Sequence, residues 1–408
     1  MPSAALAGVK VLDMSRVLAA PLATQLLGDL GAEVLKIERP VVGDESRTYG
    51  PPFMRTRDGE ETKDAAFYLS ANRNKRSVSV DFAAPDGQEI LRALAAQSDV
   101  LIENFKTGTL KRYGLDYETL SKLNPRLIYC SVTGFGQDGP LAAKPGYDGV
   151  FQAMSGLMSV SGYPDHEPGG GPMKVGISMV DILTSLYTAN AIQAALYHRD
   201  VNGGKGQYID ISLLDCGLAS LSHFAMNCLV SGETPQRRGN GGFGGVPSQA
   251  FPCSDGQIFL VAGNDVQFQR LCGAIGHPEY AADPRFAKAS GRIQNRDTLL
   301  GLLYAAFPHK TVTEWLAILD ESGVPSGRVN DFVDALSEPQ VQHRQMVRQI
   351  EHPVAGALKI LANPIRLSET PIDTYTPPPA IGEHTERVLA GLGYTPADIA
   401  RLRERGVV

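Results

Sequence analysis

The stretch GVKVLDMSRVLAAPLATQLLGDLGAEVLKIERP, residues 8–40, decides how the rest of the chain is read. Residues 9–14, VKVLDM, are rich in β-branched and aliphatic side chains and short enough to be a strand. Residues 21–32, PLATQLLGDLGA, carry a helical spacing of apolar positions, opened by Pro21, whose missing N–H does no harm in a first turn. EVLKIE, 33–38, returns to a strand. A strand, a helix and a second strand within thirty residues predict a βαβ unit, and therefore a parallel sheet.

The same alternation continues outward. RSVSVDF (76–82), DVLIENF (99–105), RLIYCSVTGFG (126–136) and GQYIDISLL (206–214) read as strands; PDGQEILRALAAQS (85–98) and DYETLSKLN (116–124) read as helices. A long apolar helix follows through Val230. Composition changes at SGETPQRRGNGGFGGVP, 231–247. Beyond it SQAFPCSDGQIFLVAG (248–263) predicts a hairpin turning at Ser254–Gly256, and helical stretches follow at 264–276, 295–307 and 311–323. The tail has a strand-like ALKILANPIRLS (357–368), a proline-rich TPPPA and two short helices. These readings predict an α/β fold with a large domain from residues 1–225 and 326–408, and a smaller α+β domain over 226–325.

Bulk properties set limits. Of 408 residues, 43% are hydrophobic and 20% charged, within the range of globular proteins. The net charge of −6 gives no reason to expect nucleic acid or an anionic membrane as partner. The five cysteines, Cys130, Cys216, Cys228, Cys253 and Cys272, have no metal-ligand spacing and fit a reducing, cytoplasmic compartment. The eight histidines lack such spacing too, so no metal is expected. No signal peptide or membrane-length apolar run is read, and a soluble protein is expected.

One residue stands out in KVGISMVDILTSLYTANAIQAALYHRD, 174–200. From Val175 to Tyr197 the only charged side chain is Asp181, at the start of what reads as a buried helix, Ile182 to Tyr197. On pattern alone a helix cap accounts for it. Gly239, Gly241 and Gly244 match GxGxxG but lack the flanking strand and helix of a dinucleotide site; the segment reads either as an inter-domain loop or as a lid whose backbone approaches a ligand. Arg39, Lys75, Arg76, Lys106, Lys111 and Arg112 cluster at strand ends, where open α/β sheets bind ligands. They are solvated charges or, together, a site for phosphates.

These segments also carry a likeness. The 8–40 stretch, NRNKRSVSVDF, DVLIENFKTGTLKRYGL, NPRLIYCSVTGFGQDGP, PGYDGVFQAMSGLM, GGKGQYIDISLLD and GEHTERVLAGLGY resemble the class III (CaiB/BaiF) CoA-transferases, from Gly8 to Val408 in the family's order. GDESRTYGPPF, GVPSQAF and SGVPSGRVN are most similar to the branch that moves CoA from succinyl-CoA to glutarate or hydroxymethylglutarate. The resemblance implies a Rossmann-like large domain built from both chain ends, an interlocked homodimer, and acyl-CoA as substrate with no tightly bound cofactor. It implies that Asp181 is the catalytic nucleophile, which forms an anhydride with the acyl group and then a thioester with CoA. Its place at a helix N-terminus is expected to favour the anion.

Further positions carry over one by one. Val17 and Ala19 match residues lining the pantetheine, and Arg39 a phosphate contact. Lys75, Asn104, Phe105, Arg112, Tyr113 and Lys144 match positions that touch the nucleotide or its phosphates. Gly241, Gly242, Gly244 and Gly245 match a lid that closes over the intermediate and supplies backbone N–H groups to an oxyanion. Arg47 is the candidate to grip a substrate's distal carboxylate. The chain departs from the family at Leu18, a glutamine in formyl-CoA transferase, and at Ala20, usually glycine. An α-methylacyl-CoA racemase shares this fold but has a His-Asp pair where this chain has Tyr147 and Asp148, and tyrosine is a poor base. A non-catalytic CoA-binding protein of the same fold is the other alternative.

Overall fold

In the computed structural model, residues 4–242 and 244–408 are described. The opening stretch folds as read: strand β1 (Lys10–Asp13) and strand β2 (Glu33–Glu38) pair in parallel, with Val11 opposite Val34 and Leu12 opposite Leu35. Helix α1 (Ala19–Asp29) joins them. It begins two residues before Pro21, which occupies the third helical position. The first four N–H groups of a helix have no partner within it, so proline fits there as well.

Four further strands complete the sheet: β3 (Lys75–Ser79), β4 (Val100–Glu103), β5 (Ile128–Thr133) and β6 (Tyr208–Ser212). Their order is β3-β2-β1-β4-β5-β6, every pair parallel. This is the doubly wound Rossmann order, with its switch between β1 and β4. Successive strand residues point to opposite faces, so Val11, Val100, Ile102 and Ile128 enter one core while Leu12, Leu101 and Tyr129 enter the other. Both faces are covered, which is why these strands read as continuous apolar runs rather than alternating ones.

The first face packs on Ala20, Ala23 and Leu27 of α1 and on Ile192 and Leu196 of helix α5 (Met179–His198). The second packs on helix α2 (Pro85–Ala96), through Ile90 and Leu91, and on helix α3 (Tyr117–Leu123), through Leu120. Leu389, Ile399 and Leu402 close that second core from the helices Thr385–Gly391 and Pro396–Glu404, together with Val407 just beyond them. Both ends of the chain therefore build one unit. The hairpin Val347–His352/Gly356–Leu361 stands apart from the main sheet, and the strand-like reading of 357–368 holds only to Leu361.

The apolar segments after residue 178 differ from the reading. Helix α5 (Met179–His198) follows helix α4 (Asp148–Met154) and buries one face, but leaves Leu186, Tyr187 and Tyr197 exposed on the other. The long helix through Val230 is two, α6 (Leu213–Ser220) and α7 (His223–Ser231), bent by 78° at a break where Ser222 has a φ of 45°. Among the described residues no single helix is long and apolar enough to cross a membrane.

The chain divides into two units, Met1–Leu157 with Val175–Ser231 and Gln342–Val408, and Met158–Lys174 with Gly232–Val341. This division differs from the expected boundary of 226–325 in three places. Helix α7 stays with the first unit. Ser326–Arg328 adds a strand antiparallel to Gln257–Val261, which carries the second unit onward to Val341. Residues 158–174, placed in the large domain by the sequence reading, join the second unit: Gly239 N–H donates to the Gly162 carbonyl (3.0 Å) and the Arg237 guanidinium to the Tyr163 carbonyl (3.1 Å).

The second unit is α+β as expected. Ser248–Pro252 and Gln257–Val261 form the hairpin, closed by Cys253 N–H donating to Gly256 O at 2.8 Å. Helices Asp265–Ala274, Arg296–Ala306 and Val312–Glu321 pack on it around Phe251, Ile258, Leu260, Phe268, Phe307 and Trp315.

Candidate active site

The carboxyl ends of β1 and β4 open a cleft of about 210 Å³ at the point where the strand order reverses, where ligands of this fold class bind. The turn between β1 and α1 forms one wall with Arg16, Val17, Leu18 and Ala19. Asn104 and Phe105, after β4, form another. Lys144 and Asp181 complete it. Val17, Ala19, Asn104, Phe105 and Lys144 thus lie on the same cleft as Asp181.

The β1–α1 turn is held under strain. Val17 has a φ of 70°, a left-handed conformation that its branched Cβ disfavours, at a cost of about 1–3 kcal/mol. Fixed contacts on both sides keep it there. Asn104 accepts from Arg16 N–H (2.9 Å) and donates to the Arg16 carbonyl (2.7 Å). On the other side Val17 N–H donates to Asp44 Oδ1 at 3.2 Å. The Arg16 guanidinium lies 4.9 Å from the Phe105 ring centre, which in turn meets Phe82 edge-on at 5.0 Å.

Asp44 belongs to a buried chain of charges beneath the turn. It accepts from Ser46 N–H (2.9 Å) and from Lys36 Nζ (2.8 Å), and Lys36 also donates to Ser15 O (3.0 Å). Burial alone would raise Asp44, but Lys36 and the Ser46 donors outweigh it and bring it down to about 2.

Two expected ligand contacts are absorbed into this network. Lys75 was read as reaching CoA, but its fully buried Nζ donates to Asp13 Oδ2 (3.0 Å), Pro21 O (2.8 Å) and Asn72 Oδ1 (3.0 Å). All three ammonium donors are used, and burial lowers the amine to about 8 despite Asp13. Arg47 was read as a grip for a substrate carboxylate. Its guanidinium is 2% exposed and makes a two-pronged pair with Glu38 (2.9 and 2.7 Å). It also donates to Asp64 (2.6 Å), Tyr68 Oη (2.6 Å) and Pro379 O (3.0 Å). The side chain is a core strut. Its partners lie 9, 17, 21 and 332 residues away, so local sequence gave no sign of it.

Asp181 is the third residue of α5, within its first turn but not at its cap; Ser178 holds that position without a side-chain bond. Asp148 supplies the missing acceptor. Its Oδ1 accepts from Val180 N–H (2.8 Å) and Asp181 N–H (3.4 Å), and its Oδ2 from Gln152 Nε2 (2.6 Å). Gln152 is itself fixed, donating to Ile177 O (3.1 Å) and accepting from Val175 N–H (2.9 Å). The helix N-terminus was expected to favour an ionised Asp181. Its N–H groups instead serve Asp148, and burial, followed by the Asp148 charge, pushes the Asp181 carboxyl up to about 7.

The remaining expected contacts fall elsewhere. Arg39 and Arg112 are exposed and do not line the cleft, and Tyr113 packs edge-on against Phe82 at 5.4 Å. The glycine-rich segment belongs to the second unit. Gly241 N–H donates to Arg238 O (2.9 Å) and Gly242 N–H to Ser248 O (2.7 Å), so neither is left to meet an oxyanion. Gly245 abuts Gly263: a Cβ on Gly245 would lie 2.6 Å from the Gly263 Cα. Gly244 has open space around it. Sequence reasoning missed Arg16, which a search for residues following a strand would have found, and met Asp148 only as the counterpart of the racemase pair, without giving it a place at the head of α5.

A doubly wound α/β protein with a ligand cleft at its switch point and the partly buried carboxyl of Asp181 in that cleft is a candidate group-transfer enzyme. Residues 6–385 match the model of CoA-transferase family III, and the chain belongs to that family of enzymes, which act on acyl-CoA. It is 41% identical over 404 residues to the human succinyl-CoA:glutarate CoA-transferase, covering 99% of this chain and 90% of that protein. It is 42% identical over 387 residues to the succinate–glutarate CoA-transferase of Agrobacterium fabrum, covering 95% of each. A crystal structure of a CAIB/BAIF family protein from Brucella suis superposes with a TM-score of 0.85 at 42% identity, over 96% of this chain and all of that one.

Proposed function

We propose that this enzyme moves CoA from succinyl-CoA to a dicarboxylic acid such as glutarate, with Asp181 as the nucleophile. The observation that carries the reading is the position of the Asp181 carboxyl in the switch-point cleft, beside five positions at which the family resemblance implies CoA contacts. The likeness to two glutarate CoA-transferases supports the choice of acids.

The steps balance without an external energy source. The Asp181 carboxylate attacks the succinyl thioester carbonyl; the tetrahedral oxyanion collapses, the C–S bond breaks, and a succinyl–aspartyl anhydride and CoA thiolate result. The thiolate attacks the aspartyl carbonyl, releasing succinate and leaving an aspartyl–CoA thioester. The glutarate carboxylate attacks that thioester and expels the thiolate. The thiolate then takes the glutaryl group from the new anhydride, freeing the Asp181 carboxylate. A hydroxyl in place of Asp181 would end as a stable ester. The attacking species is the anion, so with a carboxyl near 7 the rate should rise through neutral pH.

One further feature belongs to this reading. A second copy of the chain covers the exposed apolar side chains Leu186, Tyr187, Tyr197, Leu218, Leu229 and Val230, giving the interlocked homodimer. Sedimentation at the mass of one 43.7 kDa chain would exclude the dimer. For the chemistry, purified protein is mixed with succinyl-CoA and a panel of carboxylates, and new CoA esters are read by mass spectrometry. Glutaryl-CoA is expected, with no transfer by Asp181→Ala. Undiminished transfer by that variant overturns the mechanism, and no ester with any dicarboxylate overturns the substrate class.

A further inference from the structure

Asp148 lies 33 residues before Asp181 in the chain, is 6% exposed, and places a carboxylate across the head of the twenty-residue helix α5. Three donors converge on it: the N–H groups of Val180 and Asp181 in the first turn of α5 at Oδ1, and the amide of Gln152, from Asp148's own helix α4, at Oδ2. Gln152 carries the contact on to the segment leading into α5, at Val175 and Ile177. The first turn of α5 has no side-chain cap of its own. Its orientation therefore depends on a carboxylate supplied by another helix.

We propose that Asp148 is a positioning residue for the nucleophile: it fixes the first turn of α5 so that the Asp181 carboxyl faces the cleft, and it sets a negative charge beside that carboxyl. This rests on the reading of Asp181 as the acylated group. Other titratable and charged side chains face the same cleft: Arg16 from the β1–α1 turn, Glu45 from the turn after β2, Lys106 from the loop after β4, and Lys144 and Tyr147 from the segment before α4. Besides burial, it is Asp148 whose charge acts on Asp181. The arrangement serves two ends. Helix N–H groups that would otherwise stabilise the Asp181 anion are taken by Asp148, and the neighbouring charge makes the anion less stable and more basic. A more basic carboxylate is the stronger nucleophile towards a thioester.

The test compares wild type with Asp148→Asn, Asp148→Glu, Asp148→Ala and Asp181→Ala. It uses succinyl-CoA and the best acceptor from the panel, with kcat/KM followed from pH 5.5 to 9. Asp148→Asn keeps an oxygen for the helix N–H groups but removes the charge. Its acid limb should move down by roughly half to one pH unit. Asp148→Glu keeps the charge, so its limb should stay near the wild-type position while kcat falls from the altered reach. Asp148→Ala should lose roughly tenfold or more in kcat with little change in KM, as expected when positioning rather than binding is lost. The position of a limb does not depend on how much protein is folded, so reduced yield of a variant leaves the comparison intact. If Asp148→Asn and Asp148→Ala keep the wild-type limb and kcat while Asp181→Ala is inactive, Asp148 has no such role and the nucleophile assignment stands. If Asp181→Ala remains active, the assignment beneath the proposal falls instead.

Discussion

Replacing Asp181 by asparagine should make the protein more stable in mild alkali and leave it almost unchanged in acid. The carboxyl rises from 3.8 to about 7 on folding, chiefly because burial disfavours its charge. The folded state therefore holds a proton that the unfolded chain releases between those values, and wild-type stability declines across that interval. Each unit of displacement is worth about 1.36 kcal/mol, which sets an upper bound of roughly 4 kcal/mol, and partial contact with solvent reduces it to roughly 2 kcal/mol. Asparagine has the same shape and does not titrate. Urea unfolding of both proteins at pH 4.5 and pH 8 isolates the effect, because every other ionisation is common to the two and cancels. The advantage of Asp181→Asn over wild type should grow by about 2 kcal/mol between the two pH values, while transfer activity disappears. A difference that is the same at both pH values would show that Asp181 titrates like an exposed carboxyl, and the electrostatic account of the cleft would fail with it.

Two other changes probe Arg47 and the glycine-rich segment. Arg47→Met removes the partner of a buried Glu38 and should destabilise the first unit by about 3–5 kcal/mol; a raised KM for the dicarboxylate without loss of melting temperature would instead support the substrate grip expected from the sequence. Gly245→Ala forces a methyl against the Gly263 backbone and should cost about 1–3 kcal/mol. Under the lid reading it should also lower kcat, so wild-type turnover in a variant with a depressed melting temperature would count against that segment closing over the intermediate.

The fold was readable because its signals are local. The central strands β1, β4 and β5 are mostly apolar runs between helical spacings, and a parallel strand buried on both faces cannot look otherwise. What escaped notice depends on contacts between distant residues. Arg47 has the composition of a surface arginine, and only folding brings Glu38, Asp64 and Tyr68 around it. Lys75 sits beside Arg76 in a basic pair, yet it points inward to Asp13 while Arg76 pairs with Glu33 on the outside. Asp181 was found because one charge in an apolar segment is conspicuous. Its helix was taken as buried because a single sequence cannot separate an apolar face covered by its own chain from one left open. The excursion 158–174 gave no periodicity at all, so its membership of the second unit could not be foreseen.

The last thirty-odd residues have a consequence for biogenesis. Asp81 N–H donates to Val407 O (2.7 Å), His384 N–H to Ser77 O (2.9 Å), and Ser79 N–H to Thr385 Oγ1 (2.9 Å). Strand β3 is thus anchored by residues made more than 300 positions later. At a translation rate of about 5–20 residues per second, that outer edge waits on the ribosome for roughly 15–60 seconds with its apolar side uncovered. Through that interval the nascent first unit is a natural client for a holding chaperone, and release of the finished chain is the event that closes its second core.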